Sequence, residues 1–323
     1  AFSDYELNRS EGIIVQVFKG IKYLFLTLFG DIETVRIAGG LGNSSYLGVY
    51  SLIQVFLAIL LIVTLSSQKK FKEAWFKYVL YICIGLFNVI VLYNTGTRGS
   101  FVGLVGGLFI AVLIPLLLIV FKKIEVAPKT ASAVKKGGIV AALVLVLGVS
   151  ALGFFKNTPV VKNSDLLNRF SSLITLDIKG VLETQGKARV MLWGMAWQGV
   201  KDKPVLGWGQ DNFPFVFAKY YNPKMYAQEQ WFDRTHNVFF DWLIAGGILA
   251  LVGYLLLFVT LLYVLWKKVA LNQNPLIHVL EKSVLTGLLT AYFIHNLFIF
   301  DNLVSYIYFF LLLSFGHALS HER

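Results

Sequence analysis

Apolar residues along this chain fall in long runs rather than in strict alternation. A membrane-crossing helix needs about 20 largely apolar residues in a row. Seven stretches come close to or exceed that: Tyr46–Leu65, Trp75–Tyr93, Arg98–Phe121, Gly138–Phe155, Asn237–Trp266, Ser283–Phe298 and Leu303–His317. The sixth is short and is expected to extend into its flanks. Ile13–Phe29 is also apolar but carries Lys19 and Lys22 on one helical face, which predicts an amphipathic helix lying in the interface. The pattern therefore divides the chain into an outer-face interfacial segment (1–45), four spans (46–155), a large loop (156–236) and three further spans (237–323). The expected fold class is an all-α polytopic membrane protein.

Composition agrees. Of 323 residues, 57% are hydrophobic and 15% charged, which excludes a disordered chain and argues against a soluble globule. Cys83 is the sole cysteine, so neither an intrachain disulfide nor a Cys-rich metal site is possible. The net charge of +11 does not point to nucleic acid, because the lysines cluster in alternate short loops. These are Lys69, Lys70, Lys72 and Lys77, then Lys122, Lys123, Lys129, Lys135 and Lys136, then Lys267, Lys268 and Lys282. Loops rich in Lys and Arg stay cytoplasmic, and the long loop from Lys156 to Thr235 falls outside by parity.

With that orientation the uncommon polar residues collect on one side. Arg36 and Asn43 precede the first span, and Asn94, Thr95, Thr97 and Arg98 open the third. Arg189 and Arg234 lie in the long loop, and His236-Asn237 open the fifth span. His295, Asn296, Asp301 and Asn302 surround the last turn. Spans one, three, five and seven start outside, so their free N–H groups and positive dipole ends face outward and favour anions. Arginines beside such ends suit phosphate, whose oxygens the planar guanidinium binds in pairs. Taken singly, Arg98 reads as an interface anchor and Thr97 and Thr235 as N-caps. Gly99, Gly103 and Gly107 form a small-residue face for close helix packing.

The long loop has its own pattern. Arg189, Trp193, Trp197 and Val200 fall along one helical face, which predicts a helix at headgroup level. Pro204 ends it, Gly207–Gly209 makes a turn, and Asp211 or Asn212 caps a second helix bearing Phe213, Phe215, Phe217, Tyr220 and Tyr221. Asn222-Pro223 breaks that helix. Two readings stand: a folded cap over apolar helix tops, or a lid gripping an extended ligand with aromatic faces.

The ordered set of motifs resembles the O-antigen ligase/polymerase superfamily of membrane lipid-linked-glycan transferases. It consists of T-R-G-S at Thr97–Ser100, R-x3-W at Arg189–Trp193, P-V-L-G-W-G at Pro204–Gly209, T-H-N at Thr235–Asn237, and G-G-I at Gly246–Ile248. R-I-A-G-G-L-G-N at Arg36–Asn43 resembles the segment before an earlier family helix. The resemblance runs from about residue 36 to the end. Family members have more spans than the seven read here, so further helices are expected upstream of Ala1. The resemblance implies a GT-C-like helical bundle with a large extracytoplasmic loop. It also implies transfer of a glycan from an undecaprenyl-diphosphate carrier to an acceptor hydroxyl at the outer face of the plasma membrane. By position, Arg98, Arg189 and His236 match the family's essential residues. Arg36, Arg234, Asn237 and Trp193 are then candidates for binding the diphosphate or the rest of the substrate.

Such a reaction expels a pyrophosphate that gains negative charge. Fixed guanidinium groups in a low-dielectric site can meet that charge. The paired carboxylates of a metal site occur on this side only at Asp31-Ile-Glu33, so neither a metal nor another cofactor is expected. His236, with an ordinary pKa of about 6.5, suits the general base. The acceptor expected is a lipid A-core or other surface glycolipid, because T-H-N after a long loop followed by three spans is closest to ligases. A polymerase, with another lipid-linked glycan as acceptor, and a protein O-oligosaccharyltransferase are the alternatives within this chemistry. Membrane lipids are the other expected partner. An organic-anion transporter is the alternative outside it, and it calls for discontinuous helices, polar groups at mid-membrane and internal repeats.

Overall fold

The computed structural model describes residues 36–67, 71–162, 170–171, 187–227, 230–269 and 271–321. The expected interfacial helix Ile13–Phe29 and the Asp31/Glu33 pair lie outside them. Apart from single-turn pieces such as Pro159–Lys162, the α-helices are α1 (Ser44–Ser66), α2 (Phe71–Asn94), α3 (Arg98–Val120), α4 (Pro128–Phe154), α5 (Lys187–Asp202), α6 (Phe213–Lys219), α7 (Val238–Lys267), α8 (Pro275–Asn296) and α9 (Leu303–His321). Among the described residues there is no strand. Seven helices, α1–α4 and α7–α9, are long and apolar enough to cross a membrane. The protein is an all-α, polytopic membrane protein.

Asparagines set three of the helix starts. The side chain of Asn43 accepts from Ser45 N, that of Asn237 from Phe239 N and Phe240 N, and that of Asn274 from Leu276 N and Ile277 N. Each satisfies a first-turn N–H that has no partner within its own helix. Helix α8 begins at Pro275, earlier than the apolar pattern shows, because Glu281 and Lys282 interrupt that pattern without interrupting the helix. Both are buried. Glu281 Oε1 accepts from Thr64 Oγ1 at 2.8 Å, and Lys282 Nζ donates to Trp266 O at 3.4 Å. Lys282 is thus a helix residue held between neighbours, not a loop charge.

Helix α8 is central and α4 peripheral. The bundle core is Leu52 and Phe56 of α1, Tyr254 and Phe258 of α7, Leu288 and Tyr292 of α8, and Phe309 of α9. The glycine face of α3 meets α8 antiparallel. A Cβ on Gly99 would lie 3.1 Å from His295 O, one on Gly103 would lie 2.5 Å from Ala291 O, and one on Gly107 would overlap Gly287 O. Backbones this close leave no room for side chains, which is why the face is glycine.

Helices α5 and α6 pack on the first turns of α7 around Leu192, Met195, Ala196, Val200, Val216, Phe217 and Ile244. The packed face of α5 is rotated from the predicted one. Ala196 and Gly199 let Val216 and Ile244 approach, whereas Trp197 is 50% exposed.

Helix α7 is interrupted at Gly246 (φ −147°, ψ 21°) and Gly247 (φ 64°, ψ −159°). The Pro204–Gly209 segment lies in this break. Trp208 N donates to Ile244 O at 2.6 Å, Gly209 N to Ala245 O at 3.1 Å, and Ile248 N to Pro204 O at 2.9 Å. Gly207 also has positive φ, and a Cβ there would stand 2.5 Å from Ile244 O. The two glycine-rich motifs therefore form one structure, each satisfying the backbone groups the other exposes. The part of α7 beyond the break, Ile248–Lys267, rises about 30 Å at ~1.5 Å per residue, enough to span by itself.

Candidate active site

The site forms where α3 begins and α8 ends. The chain before α1 is tied to the α2–α3 turn. Ile37 N donates to Asn94 O at 3.1 Å, and Arg36 Nε to Thr95 O at 2.9 Å. Arg36 Nη2 donates to Thr97 Oγ1 at 3.2 Å, and that hydroxyl donates to Ser44 O. Thr97 occupies the N-cap position of α3 but makes no side-chain cap. Its hydroxyl instead joins Arg36 to α1.

Thr235 likewise does not cap α7, since Asn237 does. Thr235 N and Oγ1 both donate to Asp241 Oδ1, at 2.9 and 2.7 Å, and Thr235 O accepts from Trp193 Nε1 at 3.0 Å. Asn237 also donates from Nδ2 to Leu297 O at 3.0 Å. With both neighbours pinned, His236 is held between them at φ 54°, in the left-handed region that costs a non-glycine residue energy and clusters at functional sites. Its ring stands edge-on to Phe232 and Phe300, with centroids 5.4 and 5.1 Å away.

His236 Nδ1 lies 3.3 Å from Arg234 O. A carbonyl can only accept, so in the neutral ring the proton sits on Nδ1 and Nε2 keeps its lone pair. Burial pushes the pKa of His236 below the usual value, the bond to Arg234 O opposes this, and the Arg189 charge adds to the fall.

On the far side of Phe300, the turn between α8 and α9 is fixed by Asp301. Its Oδ1 accepts from Tyr292, Asn296 and Ser305. Burial raises its pKa while these donors lower it.

These elements enclose a cavity of about 340 Å³, within the ~300–1,000 Å³ usual for small-molecule sites. Arg36, Arg98, Arg189, His236 and His295 line it, with Asn43, Ser45, Thr97 and the backbone of Gly96 and Gly99. No Asp or Glu is among the described lining residues. The start of α3 adds its dipole to the same space. Of the residues expected from sequence, Arg36, Arg98, Arg189 and His236 are thus brought together. Arg234 is not: its Nη2 pairs with Asp211 Oδ1 at 2.8 Å and its guanidinium lies over Phe300. Trp193 and Asn237 hold the His236 segment in place and do not line the cavity. His295 does line it; the signal was an imidazole inside an apolar run, four residues beyond Ala291 on the glycine-facing side of α8.

A family model described as O-antigen ligase matches residues 83–255, more than half of the chain. The chain belongs to the O-antigen ligase family. Among curated proteins none matches it. The segment matched in the O-antigen ligase family runs from α2 to just beyond the break in α7, and so contains Arg98, Arg189 and His236 but not Arg36 or His295. Membership supports an enzyme of the glycan-transferring ligase or polymerase kind. Among the described residues, no group of three or more His, Cys, Asp or Glu is placed to hold a metal ion.

Proposed function

We propose that this protein transfers a glycan from an undecaprenyl-diphosphate carrier to an acceptor hydroxyl, in this cavity and at the outer face of the membrane. The observation that carries the reading is three arginines and an imidazole whose Nδ1 faces a backbone carbonyl on one cavity, with no carboxylate among its described lining residues. A cavity of that charge is suited to a polyanion. Arg36, Arg98 and Arg189, with the α3 N-terminus, bind the diphosphate and stabilise the charge it gains on leaving. Loss of one such fixed donor costs about 10²–10³ in rate. With arginines in that role the reaction calls for neither metal nor cofactor.

His236 Nε2 accepts the acceptor hydroxyl's proton as its oxygen bonds to the anomeric carbon and the bond to pyrophosphate breaks. Trp193, Asn237 and Asp241 act through His236 by fixing the loop that carries it. The acceptor is a surface glycolipid of the lipid A-core type; a second lipid-linked glycan or a protein Ser/Thr are the other outcomes of the assay. The break in α7 is a feature of transporters too. Here, however, its freed backbone groups are taken by Pro204–Gly209, which favours a docking role for it over ion binding.

The test is transfer from purified undecaprenyl-diphosphate glycan to each acceptor class by the full chain in nanodiscs, with and without chelator. Asn tolerates the left-handed backbone, so His236→Asn is expected to abolish transfer without lowering the melting temperature. An active His236→Asn variant refutes the base, and complete inhibition by chelator refutes the arginine mechanism.

A further inference from the structure

His295 and Ser100 face each other across the glycine seam between α3 and α8, and the mechanism above uses neither. Both are fully buried. Ser100 Oγ lies 3.0 Å from His295 Nδ1, and His295 Nε2 has no hydrogen-bond partner although the residue lines the cavity.

The polarity of the pair follows from where each arrangement leaves its unpaired donor. A buried imidazole whose sole partner is a hydroxyl is carried neutral. Suppose Nδ1 carried the proton and donated to Ser100. The hydroxyl hydrogen would then find no acceptor among the described residues, and Nε2 would be left with a bare lone pair. If Ser100 donates to Nδ1, the unpaired donor is instead Nε2–H and the unfilled acceptor is the serine oxygen. The two arrangements leave the same number of groups unpaired and differ in which donor is left. A Cβ on Gly48 of α1 would stand 2.5 Å from Ser100 Oγ, so a hydroxyl hydrogen left over there is walled in by protein, whereas a left-over Nε2–H belongs to a residue that lines the cavity, where a ligand can pair it.

We infer that His295 is a substrate-contacting residue whose Nε2–H donates to an oxygen of the donor's diphosphate, with Ser100 as the positioning residue that fixes its tautomer. This deepens the proposed function and rests on it. A buried, unpaired N–H in a folded protein calls for a partner, and the wall of a cavity lined by Arg36, Arg98 and Arg189 is where an anionic oxygen would supply one. A neutral donor suits the place, because it adds a directed bond without adding repulsion to a crowded cationic site. His236 and His295 are then opposite in polarity: one presents a lone pair to the acceptor, the other a proton to the leaving group.

The probe is inorganic pyrophosphate, titrated calorimetrically into the full chain in nanodiscs, with glycan transfer measured on the same preparations. His295→Phe is expected to weaken pyrophosphate about tenfold, the worth of one hydrogen bond. His295→Gln, which keeps an N–H donor, should stay near wild type; His295→Phe, which leaves the Ser100 hydroxyl unpaired, should melt a few degrees lower, and binding is compared well below both transitions. Nitrogen-15 NMR of labelled histidine, assigned by the signal lost in His295→Gln, should place the proton on Nε2 in the wild type and on both nitrogens in Ser100→Ala. Wild-type pyrophosphate affinity in His295→Phe, or a proton on Nδ1 in the wild type, overturns the inference and leaves the transferase reading standing if the wild type transfers glycan. A wild type that transfers nothing but binds pyrophosphate through His295 overturns the transferase reading and keeps the contact.

Discussion

The seam between α3 and α8 sets the distance between Arg98 and the wall opposite, and Gly103→Ala tests this directly. A methyl at Gly103 would stand 2.5 Å from the Ala291 carbonyl oxygen, about 0.9 Å inside ordinary contact at 3.4 Å. That oxygen belongs to helix backbone and cannot swing aside, so the helices must part by nearly the whole amount. Overpacking of this kind costs about 1–3 kcal/mol. The larger effect is on geometry. Gly103 lies about 7.5 Å along the helix from Arg98, at ~1.5 Å per residue. Parting the helices there by about 1 Å stretches the 3.0 Å contact between Ser100 and His295 beyond hydrogen-bond range. A misplacement of that size in a reacting site costs about 10²-fold in rate. In vitro glycan transfer should therefore fall about a hundredfold while the melting temperature drops by a few degrees. Gly148→Ala on α4, where a Cβ meets nothing within 4 Å, is the control and should leave both unchanged. Full transfer activity in Gly103→Ala would show that the seam does not position the site.

Arg98→Lys and Arg189→Lys keep the charge but lose the paired donors, and each should lower transfer at least tenfold at saturating donor; equal activity would refute bidentate diphosphate binding. Burial and Arg189 hold the pKa of His236 below 6.5, so the acid limb of the pH–rate profile should have its midpoint below 6.5. In Arg189→Gln the residual rate should show that limb shifted upward. The same depression means that neutral His236 contributes stability present above pH 6.5 and lost as pH falls through its folded pKa, measurable as a melting temperature that declines on acidification. Gly247→Ala places a Cβ against Val205 O at a positive φ, so it should detach the Pro204–Gly209 segment, read as new protease cleavage there.

The seven spans were legible because a bilayer imposes one simple demand, an unbroken apolar length. The glycine spacing showed that α3 has a packing face but not that α8 fills it. Charge hid the start of α8, since Glu281 and Lys282 find partners on α1 and α7 that no local pattern announces. Arg98, Arg189 and His236 were legible from their motifs, whereas Arg234 and Arg36 could not be told apart in sequence. Asp211 draws one away from the cavity, and Thr95 and Thr97 hold the other at its wall.

The sequence by itself determined the membrane class, the number of apolar crossings and the gathering of cationic residues at one end of them. These depend on length, period and parity, which are local properties of the chain. Only the tertiary structure decided which side chains share the cavity, that Pro204–Gly209 and Gly246–Ile248 are one joint, and which groups stand beside the ring nitrogens of His236 and His295. Those outcomes turn on contacts between residues tens to hundreds of positions apart, and a hydrogen bond or overlap at 3 Å has no counterpart in the order of the residues.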